Sequence, residues 1–124
     1  MKRVISTTKA PAAIGPYSQA IEVNGTLYIS GQIPVNPADG KIQEEITAAA
    51  HQSLKNIGAI LKEAGMTYDN VVKTTVLLAD IADFKAVNEV YAEYFTGDKP
   101  ARACYQAAAL PLGVKVEIEA IAVK

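Results

Sequence analysis

Residues 100–119 read Pro-Ala-Arg-Ala-Cys-Tyr-Gln-Ala-Ala-Ala-Leu-Pro-Leu-Gly-Val-Lys-Val-Glu-Ile-Glu. The stretch reads as two β-strands joined by a Leu-Pro-Leu-Gly turn. Side chains alternate between the faces of a strand, so Arg102, Cys104 and Gln106 share one side. On the following strand Lys115, Glu117 and Glu119 share a side, and Val116, Ile118, Ala120 and Ala122 take the other. An arginine fixed on one strand and a glutamate on its neighbour are suited to hold a small carboxylate and a water molecule.

Upstream, Arg3–Ser6 reads as a short first strand, followed by a turn-rich segment through Pro11, Gly15 and Pro16. Residues 17–23 alternate as a strand, Asn24-Gly25 is a two-residue hairpin signal, and residues 26–33 form the return strand. A loop of turn residues spans Pro34–Gly40. From Gln43 to Ala64 the spacing becomes helical, with Ile46, Ala50, Leu54, Ile57, Leu61 and Ala64 on one stripe. Glu44 and Glu45 suit the positive end of its dipole, Lys62 the negative end, and Gly65 a left-handed stop. Residues 71–79 are rich in β-branched side chains and read as a buried strand. Asp80 or Asp83 can cap a second helix running to about Phe95, with Phe84, Val87, Tyr91 and Tyr94 on one side.

The predicted order is β-β-β-α-β-α-β-β, an α+β fold in a single domain spanning residues 1–124. Two helices of these lengths cover one face of such a sheet. The other face would carry Ile121 and Val123 beside Glu117 and Glu119, a poor core and a poor solvent surface. The expected solution is a homo-oligomer, with Arg102 and Glu117 near a subunit boundary.

Composition narrows the function. A net charge of −1, with no lysine or arginine cluster, argues against a nucleic-acid surface built on electrostatics. One cysteine leaves no intrachain disulfide, nothing resembles a metal-ligand set, and no apolar run approaches a membrane span. Lys2-Arg3 leads into Val-Ile-Ser-Thr-Thr rather than a long apolar run, so no secretory leader and a cytoplasmic location are expected. Cys104 and the only histidine, His51, share no motif that would make them a catalytic pair. Taken alone, Arg102 reads as one half of a structural ion pair with Glu117 or Glu119, and Tyr91 as a core residue.

The motifs alter that reading. Pro100-Ala-Arg102-Ala-Cys104 and Val116-Glu117-Ile118-Glu119-Ala120, with Ile14-Gly-Pro-Tyr17-Ser-Gln, Ser30-Gly31-Gln32-Ile-Pro and Phe84 through Asn88-Glu-Val-Tyr91, resemble the Rid (YjgF-like) family of reactive-intermediate deaminases. The resemblance runs in order along essentially the whole chain. It implies a chorismate-mutase-like fold assembled as a homotrimer with clefts between subunits. It also implies hydrolysis of enamines and imines, such as 2-aminoacrylate and 2-iminopropanoate or 2-iminobutanoate, to 2-keto acids and ammonia, with no cofactor.

By the same resemblance Arg102 binds the substrate carboxylate and Glu117 positions and activates water. The backbone of Cys104 meets the reacting nitrogen, while Tyr17, Ser30, Gly31, Phe84, Asn88 and Ala103 contribute to the pocket. Ala103 stands where the family often has a hydroxyl residue, with its side chain expected to point away from Arg102. Two other readings stand beside this one: a binding or regulatory protein for 2-keto acids, and a ribonuclease or translation inhibitor.

Overall fold

The Asn24-Gly25 dipeptide makes the turn it predicts. Both residues adopt positive φ (51° and 79°), joining β2 (Ala20–Val23) to β3 (Thr26–Gln32) in an antiparallel hairpin. The structure, a computed structural model, describes residues 1–124. The remaining elements are β1 (Arg3–Ile5), α1 (Ile46–Glu63), β4 (Val71–Leu78), α2 (Phe84–Tyr94), β5 (Ala101–Gln106) and β6 (Val116–Val123). All six strands join one sheet in the order β1-β2-β3-β6-β4-β5, in which only β4 and β5 run parallel. Neither helix is long and apolar enough to cross a membrane.

This order corrects the hairpin picture of residues 100–119. β5 and β6 do not pair; β4 lies between them and bonds to both. The connection from β5 to β6 instead runs through a single 3-10 turn at Pro111–Gly113, with Leu112 and Gly113 both at positive φ.

α1 forms because its apolar stripe has a core to bury. Ala50, Leu54, Ile57 and Leu61 lie on that stripe, and all are fully buried. Truncating a side chain such as Ile57 to Ala would cost about 2–5 kcal/mol. The Glu45 carboxylate caps the first turn by accepting from the N–H groups of Thr47 and Ala48, which holds its pKa below the ordinary value. Gly65 (φ 75°) closes the other end, where the Met66 N–H reaches the Leu61 carbonyl at 2.8 Å. Of the two caps offered for α2, Asp80 makes the side-chain bond, accepting from Ala82 N–H, and a 3-10 turn at Ile81–Asp83 precedes the helix.

Both helices pack against one face of the sheet. Strand pairing aligns Thr74 with Arg102 and Ala120, Val76 with Cys104 and Ile118, and Leu78 with Gln106 and Val116, all on the helix side. The facing rows are Thr75 with Ala103 and Glu119, and Leu77 with Tyr105 and Glu117. The outer face also carries Tyr28, Ile121 and Val123, and Tyr28 and Tyr105 are about half exposed.

Residues 17–19 differ from the predicted strand. Tyr17 N–H turns back to the Gly15 carbonyl, and the Ser18 and Gln19 carbonyls accept from the hydroxyl and the N–H of Ser30. The buried Gln19 amide then pins the N-terminal loop, donating to the carbonyls of Thr7, Ala10 and Pro11 and accepting from Thr7 N–H. These bonds tie the segment to Ser30 of β3 without a regular ladder.

Candidate active site

Arg102 rises from the edge strand β5 beneath α2. Phe84, Asn88 and Tyr91 are spaced four and three residues apart and so share one helix face. That face forms a cradle. The Asn88 side-chain oxygen accepts from the guanidinium at 2.7 Å, and Cζ of Arg102 lies 4.8 Å from the Tyr91 ring centre and 5.5 Å from that of Phe84. Every group of the cradle is uncharged. The ion pairs of the chain are Arg3–Glu22, Lys124–Glu22 and His51–Glu93, so no carboxylate neutralises Arg102. A guanidinium has five N–H donors, and one goes to Asn88. The rest of the fork has the shape and charge to take a planar anion.

Cys104 sits one inter-strand row along, on the same side. Burial pushes its thiol pKa up and the Arg102 charge only partly offsets this, so Cys104 lacks the lowered pKa that marks an activated thiol.

Glu117 occupies a different environment. Opposite Glu119, β3 carries both Ser30 and Gly31 between Ile29 and Gln32, a β-bulge. The Glu117 side chain lies against Gly31, where a β-carbon would stand. A Cβ on Gly31 would collide with the carboxyl, its ideal position being 2.8 Å from Glu117 Cδ and closer still to Oε2. Glycine is favoured there by contact, not by φ, because a larger residue would push the Glu117 carboxyl from its place. Burial raises the Glu117 pKa, and the like charge of Glu119 raises it further. A carboxylate that ionises reluctantly is a better base toward water than an ordinary one.

The expected residues therefore fall into two groups. Phe84, Asn88, Arg102 and Cys104 gather under α2; Ser30, Gly31 and Glu117 gather at the bulge, with Tyr17 beside them through the Ser18–Ser30 bond. Ala103 pairs with Thr75 on the outer face, away from Arg102 as expected. Within one chain Arg102 and Glu117 project from opposite faces of the sheet and cannot grip one small molecule. Phe84, expected on the core stripe, is 39% exposed, because its ring covers the guanidinium instead of the core. Tyr91 was legible only as a core residue. It is indeed buried, but its ring also carries Arg102, and the sole sequence signal was its spacing from Asn88.

A cavity of about 540 Å³ opens beside Tyr17 and Gly31, walled by Ile33, Val35, Pro111 and Leu112; Arg102 does not line it. The buried Asn56 amide holds its rim, donating to the carbonyls of Ile33 and Val35. Tyr17, Ser30 and Glu119 border a second hollow of about 480 Å³. Hollow space thus accompanies the Glu117 group, while the Arg102 guanidinium stands elsewhere.

A family model described as Endoribonuclease L-PSP matches residues 7–124. The chain belongs to this family. It is similar to the Mus musculus protein named 2-iminobutanoate/2-iminopropanoate deaminase, with 61% identity over 125 residues covering 100% of this chain and 93% of the relative. Among solved structures, the YjgF gene product of E. coli superposes with a TM-score of 0.96 at 46% identity, covering 98% of each chain. E. coli TdcF with bound serine has the same TM-score at 43% identity, again covering 98% of each. The YjgF-like α+β fold expected from the motifs is the one observed.

Proposed function

We propose that this chain is a hydrolase of 2-imino acids and their enamine tautomers that releases 2-keto acid and ammonia without a cofactor. The observation that carries the reading is the uncompensated guanidinium of Arg102, fixed by an amide and two rings, which a substrate carboxylate would complete. The Mus musculus relative named as an imine deaminase supports it, as does the bound amino acid of TdcF.

The chemistry asks little of the protein. 2-Aminoacrylate gains a proton on its methylene carbon to become 2-iminopropanoate, whose iminium carbon is already electrophilic. Glu117 takes one proton from water as the oxygen bonds to that carbon, giving a carbinolamine. The proton passes to nitrogen, the C–N bond breaks as Glu117 takes the carbinolamine O–H proton and the carbonyl forms, and the departing ammonia carries that proton away as ammonium. One water enters; keto acid and ammonium depart. Anchoring the carboxylate and orienting the water supply the acceleration by proximity.

Because the two halves face opposite ways, we place each working site between copies of the chain, with Arg102, Asn88 and Cys104 from one and Glu117, Gly31, Ser30 and Tyr17 from the next. A homotrimer of single-domain subunits, resident in the cytoplasm, is the assembly proposed. The half-exposed Tyr28 and Tyr105 on the outer face of the sheet are suited to burial there.

The test is purified protein given 2-aminoacrylate generated in situ, with pyruvate or ammonia followed. Arg102→Ala abolishes hydrolysis and keto-acid binding together; unchanged imine hydrolysis in that variant would reject the site.

A further inference from the structure

We infer that Tyr91 and Thr74 are positioning residues for Arg102: their hydroxyl–hydroxyl bond sets the aromatic face on which the guanidinium lies. The inference rests on the reading that Arg102 binds the substrate carboxylate. Thr74 on β4 is the direct inter-strand partner of Arg102 on β5, and both point toward α2. Its buried hydroxyl meets the Tyr91 hydroxyl at 2.7 Å, so the row that carries the arginine also fixes the ring above it. Phe95, itself buried, backs that ring at 4.5 Å between centroids.

Of the two rings near Arg102, Tyr91 is both nearer and deeper, at 7% exposure against 39% for Phe84. A cation–π contact gains strength with desolvation, so Tyr91 does more to hold the guanidinium. Burial also pushes the phenol pKa up, which keeps Tyr91 neutral beside the cation. Simple core filling requires no hydroxyl here and no ring face toward an arginine. Pre-setting the guanidinium lowers the ordering cost when an anion arrives.

The experiment compares wild type, Tyr91→Phe, Tyr91→Met and Arg102→Lys by steady-state kinetics on an imino acid, by titration with 2-oxobutanoate, and by the ¹⁵N–¹H signal of the arginine Nε–H groups. The Arg102 signal is identified by its loss in Arg102→Lys. Tyr91→Met should weaken 2-oxobutanoate binding and raise KM about tenfold, with kcat changed less than about threefold. It should also remove the ring-current shift of the Arg102 signal, whereas Tyr91→Phe, which keeps the ring but loses the bond to Thr74, should keep that shift yet displace or broaden the signal and raise KM by a smaller factor. A folded Tyr91→Met with wild-type affinity and an unmoved signal overturns the inference. Should Tyr91→Met fail to fold, Thr74→Val takes its place: a displaced or broadened Arg102 signal with a raised KM supports the inference, and no change in either overturns it. If wild type neither binds 2-oxobutanoate nor turns over the imine, the functional reading fails, while the Arg102 signal of the ligand-free protein still decides the positioning role.

Discussion

The chain contains two strand-borne arginines, each with a glutamate in its story, and it treats them in opposite ways. Arg3 on β1 faces Glu22 across the β1–β2 ladder and binds its carboxylate at 2.8 Å; Lys124 adds a second cation at 3.3 Å. The hydrogen bond from Arg3 holds the Glu22 pKa below the ordinary carboxylate value. Arg102 receives an amide oxygen and two aromatic rings, and Glu117 receives burial and a like charge that push its pKa up. A structural pair settles its charges internally. The pair proposed to work keeps both charges unsettled, standing on opposite faces of one sheet.

The largest expected effects come from collapsing that contrast. Arg102→Ala should lower kcat/KM for an imino acid by about 10²–10³-fold and weaken keto-acid binding in step, since it removes a charged partner from a partly desolvated site. Glu117→Gln should lower kcat by about 10²-fold or more while 2-keto-acid affinity, measured by calorimetry, stays within about threefold. A loss of affinity as large as that of Arg102→Ala would show that Glu117 serves binding instead.

Gly31→Ala comes next. The added methyl must displace the Glu117 carboxyl, and a misplacement of about 1 Å can cost about 10²-fold, so kcat should fall by about 10–10²-fold with the fold retained. Smaller again is the pH effect. A base works when ionised, so kcat should fall on the acid side with a midpoint above the ordinary carboxylate value. Glu119→Gln removes the like charge, eases ionisation and should move that midpoint to lower pH, by less than burial has raised it. Movement to higher pH would contradict the assignment. The smallest effect belongs to the structural pair: Arg3→Ala should leave kcat/KM unchanged and cost a little thermal stability that added salt erases. The Glu22 contribution is present above its unfolded-state pKa and disappears as pH falls through the lower folded value.

Local chemistry was legible wherever one segment decides its own shape. Asn24-Gly25 prescribed its turn, the stripe from Ile46 to Leu61 prescribed α1, and Gly65 closed it. The place of β4 between β5 and β6 was not legible, because periodicity reveals which face a residue takes and not which strand lies beside it. Ser30-Gly31 carried a weak signal, a glycine inside a strand pattern, and its meaning emerged only when the Glu117 carboxyl was found against it. Arg102 and Glu117 were visible through the family motifs; their separation onto opposite faces depended on the strand order. Tyr91 was read correctly as buried, and that explanation concealed its second role because it was already sufficient.

The most direct test of a site shared between copies is complementation. Arg102→Ala and Glu117→Ala subunits, each inactive alone, are unfolded, mixed in equal amounts, refolded together and assayed for imine hydrolysis. If each site takes Arg102 from one copy and Glu117 from the next, roughly a quarter of the sites in randomly mixed rings are intact, and about that fraction of wild-type activity returns. Mixed assemblies that stay as inactive as either parent would contradict the account.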